Sequence, residues 1–332
     1  MRIVPAVCAL LFVLLPATAI AQYGESPSCG PPERGFTDWS VPVNLGTPVN
    51  SEYLESCVTI SKNGLSLFFS AIRPTGKGSR DLYVSKRDSI EGPWGEPQPL
   101  TTLNTALWES CPALSLDEHR LYFTSPRPDG CGGQDIYVSR RHDRRDDFGW
   151  EPPVNLGCES EGGPNSETND LMPALFEDER SRVLMYFSSL RSGNWDTYES
   201  RMGRDNRFGP ATPVSELNSP AIEHGPTVRR DGLEVIFQRS TPTPYPYPND
   251  YSLDFWAATR RSTGDPWSTA VHVPSLGTPP GGLFEGPAWA QGKISLSFDG
   301  RELYFASWRP DLANCDLWVA RREKLHGKKH RP

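Results

Sequence analysis

The sequence predicts an all-β chain: a five-bladed β-propeller with four-stranded blades, its ring closed by the N-terminal strand completing the last blade. Three observations carry that expectation. The tripeptide Asp-apolar-aromatic recurs as Asp81-Leu82-Tyr83, Asp135-Ile136-Tyr137, Asp254-Phe255-Trp256 and Asp316-Leu317-Trp318, with Asp196-Thr197-Tyr198 as a weaker copy. An apolar-aromatic run ending at an arginine precedes each copy: Leu67 to Arg73, Leu121 to Arg127, Met185 to Arg191, Val235 to Arg239 and Leu303 to Arg309. No long stretch shows the 3.6-residue apolar period of an amphipathic helix.

Taken in order, the chain opens with a positive residue, Arg2, then an apolar run from Val4 to Pro16 too short to span a bilayer, then the small-x-small pattern Ala19-Ile20-Ala21. Residues 1–21 therefore read as a signal peptide cleaved after Ala21. Export to the periplasm or the outside of a bacterium is expected, with no membrane span afterwards. Residues 22–38 are rich in Ser, Pro and Gly and read as irregular. The propeller is expected over residues 39–323. A Trp- or Phe-led segment containing Pro opens it at Trp39 to Leu45. That segment returns between units at Trp94 to Leu100, Trp150 to Leu156, Phe208 to Leu217 and Trp267 to Leu276, and none follows Asp316. The first copy is thus free to finish the last blade, which removes exposed sheet edges. Each unit holds four short β-rich runs bounded by turn residues, and such units in series make a propeller. Residues 324–332 are basic and read as a disordered tail.

The pattern Leu-Asn-Ser/Thr, then Glu-x-x-Pro, then Asp-Gly-x-x-Leu-Tyr-Phe-x-Ser-x-Arg-Pro, then Gly-Gly-x-Asp-Ile-Tyr-Val-Ser-x-Arg resembles the WD40-like (PD40, TolB-like) bacterial propeller repeat. It runs from Trp39 to about Arg322, best in units two and five and worst in unit four. The resemblance implies the fold. It leaves the activity open, because similar blades look like those of periplasmic scaffolds, peptidase propellers and polysaccharide-active proteins.

A net charge of −7 with no basic patch before the C-terminus argues against nucleic acid as a partner. Cys8 falls in the signal peptide and leaves six cysteines, an even number in an exported chain. Cys57 and Cys111 occupy the same position in adjacent units, Cys131 and Cys158 flank one junction, and Cys29 and Cys315 lie near the two ends. Three bridges on that frame are one expectation, and buried free thiols are the other. There is no Cys-x-x-Cys pair for zinc, and no cofactor is expected.

The start of each innermost strand and the loop between second and third strands should share one face. Three features meet there. Asn50, Asn104, Asn165 and Asn218 each precede an acid by five residues (Glu55, Glu109, Asp170, Glu223), and Glu285 takes the same place in unit five. Like charges so close need partners, so either the repeated arginines neutralise them or they hold a cation such as axial calcium. His224 departs from the repeat and stands beside Glu223, where a structural histidine and an acid–base pair are the alternatives. Trp108, Trp195, Tyr245, Tyr247, Tyr251 and Trp289 bring aromatic faces to the same loops, a surface suited to sugar rings. Gly-x-Ser-x-Gly, His-Glu-x-x-His, phosphate-loop and dinucleotide-binding patterns are absent.

The expected function is an exported, monomeric binding or scaffold module that recognises a glycan or an envelope protein at the axial mouth. Its ligand-binding candidates are Glu55, Glu109, Asp170, Glu223, Glu285, Trp195, Tyr245, Tyr247 and Trp289. The alternative is a glycosidase whose catalytic candidates are Glu109, Asp170, Glu223 and His224. Hydrolysis needs two carboxylates in different environments, and the five acids are nearly equivalent in sequence.

Overall fold

The computed structural model describes residues 35–241, 252–276, 289–290, 293–308 and 315–325. The signal peptide, Cys29, Tyr245, Tyr247, Tyr251, Glu285, Arg309 and residues 326–332 lie outside them, and of Trp289 only the backbone is described.

Five antiparallel sheets make the five blades. The innermost strands are Glu55–Ile60, Ser110–Leu114, Asp170–Glu177 and Glu223–Val228, and in blade five the short pair Trp289–Ala290 and Ser295–Leu296. The second strands are Ser66–Ala71, Arg120–Ser125, Val183–Ser189, Glu234–Thr241 and Glu302–Trp308. The third are Asp81–Lys86, Asp135–Arg140, Asp196–Arg201, Ser252–Thr259 and Cys315–Arg321. The outer strands are only two residues long, as in Gln98–Pro99 and Val154–Asn155. Ring closure is as expected: Val43 pairs with Val319 and Asn44 with Trp318. The pairing also extends beyond that strand, with the Thr37 N–H on the Glu323 carbonyl (2.8 Å) and the Leu325 N–H on the Gly35 carbonyl (2.7 Å).

Each recurrent residue type has a fixed physical task. The asparagines join blades. Asn104 accepts from the Leu82 N–H (2.8 Å) and donates to the Leu82 carbonyl (2.9 Å). Asn165 does the same at Ile136, Asn218 at Thr197 and Asn50 at Leu317. A buried amide side chain with both ends satisfied acts like one more rung of sheet. The third-strand aspartates hold turns: Asp81 accepts from the Lys77 and Gly78 N–H groups (2.9 and 3.0 Å). A second arginine follows the third strand in four blades. Arg87, Arg141, Arg260 and Arg322 lie over Trp94, Trp150, Trp267 and Trp39 at 4.1–4.5 Å. Each donates its Nε to a carbonyl of the hairpin between the first and second strands. Blade three has Met202 and Phe208 there instead.

The core is aromatic and lies between blades. Phe68, Leu82, Leu121, Phe123, Tyr137 and Trp150 form one buried cluster from blades one and two. The axis itself is filled. In blades one to four one extra residue interrupts the pairing of the innermost strand. That residue takes a left-handed backbone at Cys57 (φ 46°), Cys111 (φ 54°), Met172 (φ 58°) and Gly225 (φ 56°). Cys57 and Cys111 are bonded to each other there and pack on Met172. A disulfide across two inner strands thus plugs the channel.

The second expected bridge, Cys131–Cys158, is present. The third is corrected: Cys315 is a free thiol. It packs in the core with Val49, Val58 and Leu317, 1 % exposed, and burial pushes its pKa up to about 12. An unreactive, buried thiol belongs to packing rather than to ring closure.

Candidate functional site

The four described acids sit at the first turn of the inner strands, and each is fully buried. They do not face one another across an open ring. Glu55 accepts from Ser51 Oγ (2.6 Å), the Ser51 N–H (3.2 Å) and Arg73 (2.8 Å). Glu109 accepts from Thr105 Oγ1 (2.7 Å), the Thr105 N–H (2.8 Å) and Ser125 Oγ (2.9 Å), with Arg127 at 3.6 Å. Asp170 is held by Ser166 and by Arg191 (2.8 Å), and Glu223 by Ser219 and by Arg239 (2.7 Å). The hydroxyl four residues before each acid and the arginine at the end of the second strand therefore build one repeated cradle. Each arginine also lies over an aromatic pair of its own blade, as Arg127 does over Phe123 and Tyr137. Of the two sequence alternatives, the carboxylate–arginine network is what the described blades contain. Burial pushes the Glu55 and Glu223 carboxyls above the ordinary carboxylate range, and the serine and arginine donors oppose it.

The backbone of each acid also ties neighbouring blades. The N–H groups of Glu109, Asp170 and Glu223 donate to the carbonyls of Arg80, Gln134 and Trp195 at 2.7–2.9 Å. The accepting carbonyls share one position, the residue before the third-strand aspartate. Arg80 and Trp195 occupy it in blades one and three, at a position whose residue type differs in every blade. Arg80 carries no sequence signal of its own, and only its register against Glu109 of the next blade marks it. Its guanidinium lies on the Trp108 ring (4.7 Å), and burial lowers its pKa. Trp195 meets the His224 ring edge-on at 4.6 Å, beside Glu223. Both are half-buried. Burial alone pushes His224 down to about 4, so it is neutral near pH 7. The structure thus brings Trp195, Glu223 and His224 together. It places Glu55, Glu109 and Asp170 each in its own blade. At this mouth the loops of blades four and five fall outside the described residues.

The opposite mouth, where the inner strands end, holds a cavity of about 90 Å³. Thr59, Thr227, Lys293, Glu118, Arg230 and Phe298 are among its lining residues. In the sequence only the other mouth is marked as a site. The axial disulfide separates the two ends, and no repeated motif marks this one. Lys293 is 3 % exposed, and burial lowers its amine to about 7. Among the described residues no group of three or more His, Cys, Asp or Glu is arranged to hold a metal ion, and no helix is long and apolar enough to cross a membrane.

No family model matches the chain, and no curated protein matches it. Solved structures do. The catalytic domain of a GH62 α-L-arabinofuranosidase from Coprinopsis cinerea is 14 % identical with a TM-score of 0.54, over 87 % of this chain and 98 % of that one. An endo-arabinase from Bacteroides thetaiotaomicron is 14 % identical with a TM-score of 0.50, over 89 % and 100 %. A TolB from Agrobacterium tumefaciens is 13 % identical with a TM-score of 0.44, over 83 % and 82 %. At these identities the likeness is one of fold.

Proposed function

We propose that this is an exported propeller that takes carbohydrate at the mouth where the inner strands begin. The observation that carries the reading is the Trp195–His224 pair beside Glu223. The blade architecture asks for neither ring, and both remain partly exposed. A flat indole with a neutral imidazole edge-on to it offers one apolar face and a polar group for hydroxyls, as sugar sites do. Two disulfides support export, since such bonds persist in oxidising compartments. Glu285, Tyr245, Tyr247 and Trp289 are proposed to line the rest of the mouth, and the buried Glu55, Glu109 and Asp170 to shape it from their cradles.

Two specific observations divide binding from turnover. The pairing of every described acid with an arginine favours binding, because it leaves no carboxylate singled out as proton donor. The arabinofuranosidase and endo-arabinase neighbours favour hydrolysis, with Glu223 or Asp170 and Glu109 as the acids and His224 as a modulator. Titration calorimetry with arabino- and xylo-oligosaccharides, paired with a reducing-sugar assay on the same panel, separates them. Binding that Trp195→Ala abolishes supports the site. Sugar release that Glu223→Gln abolishes establishes turnover. No binding and no release across the panel would sink the proposal.

A further inference from the structure

Lys293 takes no part in the contacts that every blade repeats. In blade five Ala290 pairs with Ser307 and Ser295 with Tyr304, and Lys293 lies between the two pairs. Lys293 stands at the axis, where its N–H donates to Cys57 Sγ (3.2 Å) and its carbonyl accepts the Val58 N–H (3.2 Å). The side chain lines the strand-end cavity, 97 % buried by the 3 % exposure it retains, and no carboxylate among the described residues pairs with it. A buried ammonium without a counter-ion is unfavourable unless something supplies one.

The surroundings specify what would. The Thr59 and Thr227 side chains line the same space. Lys62 and Arg230 stand at its edge, 4.3 and 3.9 Å from the Phe298 ring centroid. Glu118 is the one acid that lines it, and its Oε1 accepts the Lys62 backbone N–H (2.6 Å). Three cations thus face one carboxylate that already has a donor. At about 90 Å³ the cavity holds about three waters, enough for a carboxylate group and too little for a sugar ring.

We propose that the strand-end cavity is a carboxylate site, in which Lys293 Nζ and the two threonine hydroxyls hold the group while the rest of the ligand leaves over Phe298 between Lys62 and Arg230. This site is separate from the sugar mouth and does not rest on it. The test uses the whole mature chain at pH 6.5 with sodium acetate, sodium D-glucuronate and sodium chloride at matched ionic strength, read by thermal shift and calorimetry. Saturable stabilisation by acetate or glucuronate, absent with chloride, is expected. Lys293→Met should weaken it about ten- to a hundredfold, the range of a charge-assisted hydrogen bond. Thr227→Val, which keeps every charge, should weaken it several-fold and serves if the methionine variant does not fold. Trp195→Ala should leave it unchanged. Tighter binding of glucuronate than acetate, lost in Arg230→Met, would extend the site over the rim. No saturable shift with either carboxylate, an equal shift with chloride, or full affinity in both Lys293→Met and Thr227→Val would overturn the proposal.

Discussion

Replacing Lys293 with methionine removes a buried cation and nearly keeps its volume. The native amine titrates at about 7 against an ordinary value of 10.5. At about 1.36 kcal/mol per pH unit, that gap amounts to a ceiling of about 5 kcal/mol. The native value lies below the unfolded one, so between pH 7 and 10.5 the unfolded chain holds the extra proton and stability rises with pH. The cost is complete below pH 7 and gone above pH 10.5. Lys293→Met should therefore exceed the wild type by several kcal/mol at pH 6 and by much less at pH 9.5. Urea unfolding of both proteins at the two pH values, in buffers free of carboxylates, measures the difference. A gap that does not change with pH, or a variant less stable than wild type at pH 6, would show that the amine has a partner or is well solvated.

Arg127→Met leaves Glu109 buried without its cation and should cost about 3–5 kcal/mol in urea unfolding, far above an exposed ion pair. Reducing Cys57–Cys111 releases a loop of 54 residues, and the chain-entropy model gives a loss of about 4 kcal/mol, read as a lower melting temperature of the wild type in dithiothreitol than without it, beyond any shift that dithiothreitol causes in Cys57→Ala/Cys111→Ala. His224 has a native value near 4, below the ordinary 6.5, so its neutral form stabilises the fold above pH 6.5 and that stability is lost as pH falls toward 4. His224→Gln should flatten the acid limb of the melting curve in that window. Gly130→Ala would set a Cβ 2.1 Å from Asp135 Oδ2, break the turn that this aspartate holds, and cost about 1–3 kcal/mol in melting experiments.

Blade number, strand order and ring closure were legible because a repeat writes them several times. Asn104 and Glu109 recur five residues apart in four blades, and in each the asparagine joins the neighbouring blade and an arginine after the acid pairs with it. That regularity also marked Cys57 and Cys111 as equivalent, and equivalent positions on adjacent inner strands are close enough to bond. Departures were only partly legible. His224 stood out because its neighbours in the repeat are small or apolar. Arg80 did not, because the position before the third-strand aspartate varies in every blade and no pattern flags it. Lys293 lay in an insertion whose alignment to the other blades the linear sequence left undefined.

What the sequence alone determined, then, is everything that the repeat enforces: periodicity selects strands, and residues required in every blade must serve contacts that every blade makes. What only the tertiary structure decided is which side chains reach the axis. The acids, singled out as a shared ring, are drawn back into separate cradles because a buried carboxylate takes the nearest hydroxyl and guanidinium. Cys315, one of an expected pair, is held as a thiol by the core around it. Lys293, between the pairings of Ala290 and Ser295, meets the axial disulfide at Cys57 and lines the strand-end cavity. Side-chain direction at a bulge depends on the register of both paired strands, and register exists only once the strands have met.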